Sequence, residues 1–326
     1  APLARYVDDF FGCSRDGVTY SGGVCLTIVA ALLGLPTDEA KSADDLIRMV
    51  VLGASVWVDW PGRSFQAWVA DAKADKWAGL LKDMLDSGSC KAVEAASMAG
   101  RLSFTVTLAA NRVGRAFIKP FYAQQHAPLP GNVIGAALES AMIWFLAYLE
   151  VRPAVIRRGL IPRRLVVTWH DAAGVSRWVA AVVRSEGAYW WTRIRTPDHV
   201  WAQLQHREDS QIGFQELLGI VLLLGSFPSQ LQGSLWLSFG DNDGVTHSLA
   251  RGGGHNPECN VIIGKVWLAI SELDLDLHAA RVESHANIAD GPSRDFFEYL
   301  HSLHAMFIEP KLPEWIDDIW LCDIPL

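Results

Sequence analysis

The sequence predicts an α/β protein in two parts: an α+β and helical first part, then a mixed β-sheet with flanking helices. Beyond residue 165 the elements follow the order strand, strand, strand, helix, strand, helix, strand, which is typical of a mixed sheet. Before it, apolar side chains recur at helical spacing over about 71–125 and over 134–148. The apolar run 50–58 predicts a single strand.

The predicted domain boundaries follow changes in these patterns along the 326 residues. Short apolar strands separated by turns fill 1–60, and helices fill 61–150. Residues 151–164 contain two prolines and five arginines and are the predicted linker. The second unit covers 165–295, and the aromatic and acidic tail 296–326 receives no predicted role.

The composition argues against several classes of protein. Half of the residues are hydrophobic and 20% are charged, as in globular chains. The five cysteines form no CxxC pair, which argues against a zinc knuckle or disulfide framework and predicts an intracellular location, cytoplasm or nucleus. The apolar runs are far shorter than the roughly 20 residues of a membrane span, so no membrane partner is expected. The net charge of −8 does not favour a nucleic-acid ligand, although basic residues can cluster locally.

Four acids occupy positions suited to metal chemistry. Asp171 ends the first predicted strand of the second unit, and Asp241 follows the apolar strand 235–239. Glu216 interrupts a strongly apolar helix, and Asp290 lies in a later loop. Mg²⁺ prefers oxygen ligands, and two such ions about 4 Å apart can hold the attacking water and the leaving oxygen of a phosphodiester. Acids at two strand ends and on one helix can converge on such a pair, whereas each acid taken singly is also explained as a solvated turn residue.

The same residues carry a resemblance that covers about 165–295. The order strand-Asp-Ala, helix-Glu-Leu-Leu, strand-Asp-Asn and then Asn-Ile-Ala-Asp-Gly-Pro-Ser-Arg (287–294) resembles the RNase H domains of retroelement reverse transcriptases. The resemblance implies an RNase H-like fold whose acids bind two Mg²⁺ ions, with Mn²⁺ as an alternative, and hydrolyse the RNA strand of an RNA–DNA hybrid. Carried over by motif, these acids are Asp171, Glu216, Asp241 and Asp290. The sequence departs from the family at His170, where the family usually has Thr or Ser.

A second constellation is Tyr-Val-Asp-Asp at 6–9, in a predicted tight hairpin. Two adjacent acids at such a tip can place a carboxylate against a metal-bound triphosphate, or can form only a solvated turn. Together with Leu-Gly-Leu-Pro at 33–36, this motif resembles the palm of reverse transcriptases. The resemblance implies that Asp8 and Asp9 are the paired palm aspartates and that Lys41 lies near the incoming nucleotide.

Two further segments, Ala-Gly-Arg-Leu-Ser-Phe at 99–104 and Gly-Arg-Ala-Phe at 114–117, resemble the thumb of tyrosine-recombinase (DIRS-type) retroelements. A basic helical face in this region could track the backbone of a primer–template duplex. An ordinary solvated face is the alternative. The candidate nucleic-acid-binding residues are Arg101, Arg112, Arg115 and Lys119.

These resemblances imply the C-terminal part of a reverse transcriptase, with a partial palm, a thumb and an RNase H-like unit. The resembling polymerases hold a third acid on an upstream strand, so we expect a missing N-terminal polymerase portion and no DNA synthesis by this chain alone. The expected partners are an RNA–DNA hybrid and primer–template nucleic acid. The alternative is a decayed or domesticated retroelement piece that binds nucleic acid or protein without catalysis.

Overall fold

The structure, a computed structural model, describes residues 3–6, 9–12, 28–30, 32–33, 48–51, 53–59, 64–108, 112–151, 155–158, 163–204, 211–254 and 257–316. We call residues up to 164 the first half and the rest the second half. The elements of the first half are β1 (Leu3–Tyr6), β2 (Asp9–Gly12), β3 (Arg48–Val51), β4 (Ala54–Asp59), β5 (Ser64–Val69), α1 (Asp71–Ser87), α2 (Ala92–Leu108), α3 (Arg115–His126), α4 (Ala136–Val151) and β6 (Val155–Arg158).

An antiparallel sheet in the order β3-β4-β5-β6 forms part of the first half. The apolar run 50–58 is two strands and not one, because the chain reverses at Gly53, whose φ of 84° lies in the left-handed region that favours glycine. Residues 155–158 of the predicted linker form β6, which pairs with β5. One edge strand of this sheet therefore comes from a segment that follows the four helices in the chain.

Helices α1 to α4 bury their apolar faces against one another. In α1 these side chains recur every three or four residues, as an amphipathic helix requires: Ala74, Trp77, Leu81 and Met84. The helix ends at Gly88, whose backbone N–H donates to the Leu85 carbonyl at a φ of 62°. Phe121 of α3 and Phe145 of α4 are fully buried in the same core.

A six-stranded mixed sheet forms the centre of the second half, in the order β11-β10-β7-β8-β9-β12. Strands β7, β8 and β9 form an antiparallel meander, and β10 and β11 run parallel to β7. The predicted fold class, a mixed sheet with flanking helices, is confirmed, and the strands follow the predicted order. Its elements are β7 (Leu165–Ala172), β8 (Trp178–Ser185), β9 (Ala188–Arg195), α5 (Asp198–Leu204), α6 (Gln211–Ser226), α7 (Pro228–Leu231), β10 (Leu235–Gly240), α8 (Asp243–Arg251), α9 (Pro257–Glu272), β11 (Asp276–Arg281), α10 (Asp290–Ser293), α11 (Glu298–Ser302) and β12 (Met306–Phe307).

The two faces of this sheet are covered by different parts of the chain. Helix α6 lies across β7 and β8, and its residues 220–224 are buried in the main core. On another part of the sheet, Leu300 of α11 packs with Val182 and Ala289. The tail then adds β12 beside β9, in parallel register. Part of the tail without a predicted role thus completes the sheet.

None of the helices in the described ranges is long and apolar enough to cross a membrane.

The two halves dock through α3 and α9. Within the first half, Trp144 stacks on Phe117 with ring centroids 4.5 Å apart and on Tyr148 at 5.2 Å. Trp144 and Tyr148 also pack against the core of the second half. A methyl group added at Gly264 of α9 would overlap the Phe117 ring, so glycine permits this close approach. Val113 of the first half is buried in the core of the second half. The halves therefore share apolar contacts and are not joined by the chain alone.

This close approach predicts that Gly264→Ala lowers the free energy of unfolding by about 1–3 kcal/mol, because the added methyl group overpacks the interface. The matched control is Gly100→Ala in α2, where an added methyl group meets nothing within 4 Å. There alanine should raise stability by up to about 1 kcal/mol, since it loses less backbone entropy in a helix. Urea unfolding followed by circular dichroism measures both, and equal effects would contradict the docking.

Candidate metal centre

Three of the four predicted acids meet at one edge of the sheet. One oxygen from each of Asp171, Glu216 and Asp241 lies within 4.8 Å of the others. Asp171 stands one residue before the end of β7, and Asp241 directly follows the parallel strand β10, so both reach the same edge. Glu216 lies in the second turn of α6, which crosses β7. The strand order and the helix crossing therefore bring the three carboxylates together.

Burial and mutual repulsion dominate the electrostatics of this cluster. Asp171 and Glu216 are only 2% and 3% exposed, and Glu216 Oε2 has no hydrogen-bond partner among the described residues. Burial, followed by the charges of Asp171 and Asp241, raises the pKa of Glu216 to about 9 against the opposing effect of a hydrogen bond from the Ala172 backbone. Burial likewise raises the pKa of Asp171 to about 6. A cation would offset this repulsion.

Hydroxyl and amide groups fix the orientation of the cluster. Ser293 Oγ lies 2.5 Å from Asp171 Oδ2, and Ser284 Oγ donates to Asp241 Oδ2 at 2.7 Å. Asn287 Nδ2 donates to the backbone oxygen of His170 at 2.9 Å, which ties the following loop to β7. Sequence reasoning did not assign a role to either serine. Ser293 and Asn287 both belong to the segment 287–294. This segment is therefore hydrogen-bonded to β7, the strand that carries Asp171.

The fourth predicted acid borders the cluster. Asp290 begins α10 and forms an ion pair with Arg294 at 2.6 Å. It does not belong to the set of oxygens that lie within 4.8 Å of one another. Its negative charge still contributes to the raised pKa values of Asp171 and Glu216. Asp290 is therefore close enough to act on the site electrostatically while its carboxylate is held by Arg294.

The predicted palm residues fall largely outside the described ranges. Asp8 and Lys41 lie outside them. The backbone of Asp9 begins β2 and pairs with Tyr6 across the β1–β2 hairpin. Strands β1 and β2 therefore pair where the hairpin was predicted, and the palm assignment stays a prediction.

The four predicted basic residues occupy different environments. Arg101 lies on α2, and Lys119 Nζ donates to the Gly254 carbonyl of the second half. Arg112 and Arg115 line a cavity of about 540 Å³ between the halves, together with residues 276–279 at the start of β11, among them Asp276. Burial, then the neighbouring charge of Arg112, lowers the pKa of Arg115. Two of the four residues therefore share one cavity.

Comparisons with known proteins leave the family of the chain open. No protein-family model and no curated protein matches it. The chain is similar, at 13% identity, to two solved structures of the foamy viral protease-reverse transcriptase with double-stranded DNA, one of them designated dRH. The first match, to the structure designated dRH, has a TM-score of 0.36 and covers 85% of this chain and 45% of that one. The second has a TM-score of 0.35 and covers 86% of this chain and 54% of that one. This chain spans about half of their length.

The raised pKa of Glu216 predicts how the metal-free protein responds to pH. Between the ordinary value of 4.5 and about 9, folded Glu216 retains a proton that the unfolded chain has released. The free energy of unfolding should therefore fall as pH rises through this window. Glu216→Gln stays neutral and should flatten the decline, whereas Glu139→Gln at an exposed position should not. Thermal unfolding in EDTA measures the slopes, and an unchanged slope in Glu216→Gln would contradict the burial of this carboxyl group.

Proposed function

We propose that the chain is a divalent-cation-dependent nuclease that hydrolyses the RNA strand of an RNA–DNA hybrid. The observation that carries the proposal is the convergence of Asp171, Glu216 and Asp241 within 4.8 Å at the edge of a mixed sheet. The donors fit a hard cation, since all three offer carboxylate oxygen and Glu216 Oε2 lacks a partner among the described residues. Mg²⁺ or Mn²⁺ matches this donor set.

The residues of the chain have distinct parts in the proposed reaction. Asp171, Glu216 and Asp241 would hold the cation, and Asp290 at their border would join them. When bound, the cation supplies Lewis-acid activation of the phosphodiester and of water. Ser293 and Ser284 keep two of the carboxylates oriented through their hydroxyl groups. The oxygen of water bonds to phosphorus, the P–O3′ bond breaks and the 3′ oxygen takes up a proton, which leaves a 3′-hydroxyl and a 5′-phosphate.

The cavity between the halves supports a nucleic-acid partner. Arg112 uses its Nε–H for the Ala250 carbonyl at 2.9 Å. Within the described ranges, no acceptor is seen for its other guanidinium donors or for those of Arg115. Guanidinium groups bind phosphate through paired hydrogen bonds, and an anion would relieve the repulsion between these two charges. We therefore assign the backbone phosphates of the hybrid to this cavity.

The nuclease proposal predicts cleavage of the labelled RNA strand of an RNA–DNA hybrid in the presence of Mg²⁺. Asp241→Asn should slow cleavage by roughly a hundredfold or more, because losing even a residue that only supports a metal ligand costs about 10- to 100-fold. The control is Asp243→Asn, two residues along, whose side chain is 64% exposed and pairs with Arg281; it should retain activity.

Two outcomes would count against this account. A correctly folded chain that binds the hybrid without cleaving it would favour the non-catalytic binding role. Equal cleavage by Asp241→Asn and the unaltered chain would remove Asp241 from the site.

The cavity predicts a separate effect on binding. Arg115→Ala should weaken hybrid binding measured in EDTA, and the slope of log affinity against log salt should become shallower by about 1, because one phosphate contact is lost. Lys82→Ala removes one positive charge from an exposed position on α1 and serves as the control. A fluorescence-anisotropy titration at several salt concentrations measures both slopes. Identical slopes for the two variants would contradict a phosphate at Arg115.

A further inference from the structure

The buried side chain of His170 lies among the three elements from which the clustered acids project. His170 precedes Asp171 on β7 and is only 4% exposed. A methyl group built at Gly219 of α6 would lie 2.9 Å from His170 Cβ and 3.3 Å from Cδ2. Gly219 follows Glu216 by one helical turn, so this contact fixes how closely the Glu216 helix approaches β7.

The opposite side of the imidazole meets the strand that leads to Asp241. A methyl group built at Gly240 would lie 2.6 Å from His170 Nε2 and 2.7 Å from Cε1. Neither Gly219 nor Gly240 has a positive φ, so the backbone conformation alone does not require glycine at these positions. The space that the imidazole occupies does require it.

We infer that His170 is a positioning residue whose ring sets the spacing of Asp171, Glu216 and Asp241, and thereby the size of the cation that they hold. The inference rests on the proposed cation site. The ring is wedged between the residue before Asp241 and the helical turn after Glu216. Closely packed interiors transmit such a change in volume to neighbouring elements, because few voids are present to absorb it.

Cation selectivity follows from this spacing. Mg²⁺ requires near-octahedral oxygen ligands at about 2.0–2.1 Å, whereas Ca²⁺ accepts flexible coordination at about 2.3–2.6 Å. A shift of a few tenths of an ångström between α6 and β10 therefore weakens Mg²⁺ binding more than Ca²⁺ binding. A residue that only stabilised the core would weaken both ions together through the folded fraction.

Calorimetric titration of the whole chain with Mg²⁺ and with Ca²⁺, without nucleic acid, tests the inference. His170→Thr and Gly240→Ala should each lower the Mg²⁺-to-Ca²⁺ affinity ratio by roughly tenfold, the scale expected for residues that orient metal ligands. The double variant should recover part of the ratio, because the alanine methyl group fills space vacated by the ring. Gly219→Ala, which presses on the ring from the other side, replaces His170→Thr if that variant does not fold.

The matched control is Val166→Ala, which removes fully buried volume from β7 away from the site. It should lower the thermal midpoint and leave the affinity ratio unchanged. An unchanged ratio in folded His170→Thr, or no recovery in the double variant, would overturn the positioning role and leave the proposed hydrolysis standing. Absence of cation binding by the unaltered chain would overturn both. Selectivity that follows the expected pattern in a chain without hybrid cleavage would support the positioning role alone.

Discussion

The mutual repulsion of three carboxylates, two of them buried and the third half-buried, is the constraint on which the rest of the site depends. Like charges held this closely, with two of them buried, favour a proton or a cation over three free negative charges. The structure keeps Asp171 and Asp241 in place with serine hydroxyl groups and anchors the adjoining loop through Asn287. It also pairs the neighbouring Asp290 with Arg294, which limits the negative charge presented to the cluster. These contacts orient the carboxylates and limit the local negative charge, as a cation site requires.

The docking of the two halves determines where the basic residues of the first half lie. Phe117 packs closely on Gly264, and Lys119 bonds to the Gly254 carbonyl, so α3 has a fixed position relative to the second half. That position brings Arg112 and Arg115 to the cavity beside β11. Strand β11, whose first residues line this cavity, lies next to β10, the strand that leads to Asp241. A polyanion bound at the cavity would thus be held by the same sheet that carries the acids.

Much of the fold and part of the site could be predicted from sequence, for identifiable reasons. Period-2 and helical spacing are local, so the order of strands and helices in the second half was predictable, and acids at parallel strand ends pointed to a common edge. The two-residue strand β12 has no such pattern, and only pairing with β9 creates it. The prediction of a single strand over 50–58 did not include the reversal at Gly53, because a glycine permits a turn but does not require one. The contacts of His170 arise from glycines distant along the chain, beyond the reach of local patterns.

The central claim is that the three clustered carboxylates bind a divalent cation. Diffraction from crystals of the chain grown with Mn²⁺, recorded at the manganese absorption edge, locates the ion directly by its anomalous signal. The account predicts a peak bounded by Asp171, Glu216 and Asp241. A map with these side chains in the arrangement described above, and with no peak between them at saturating Mn²⁺, would contradict it.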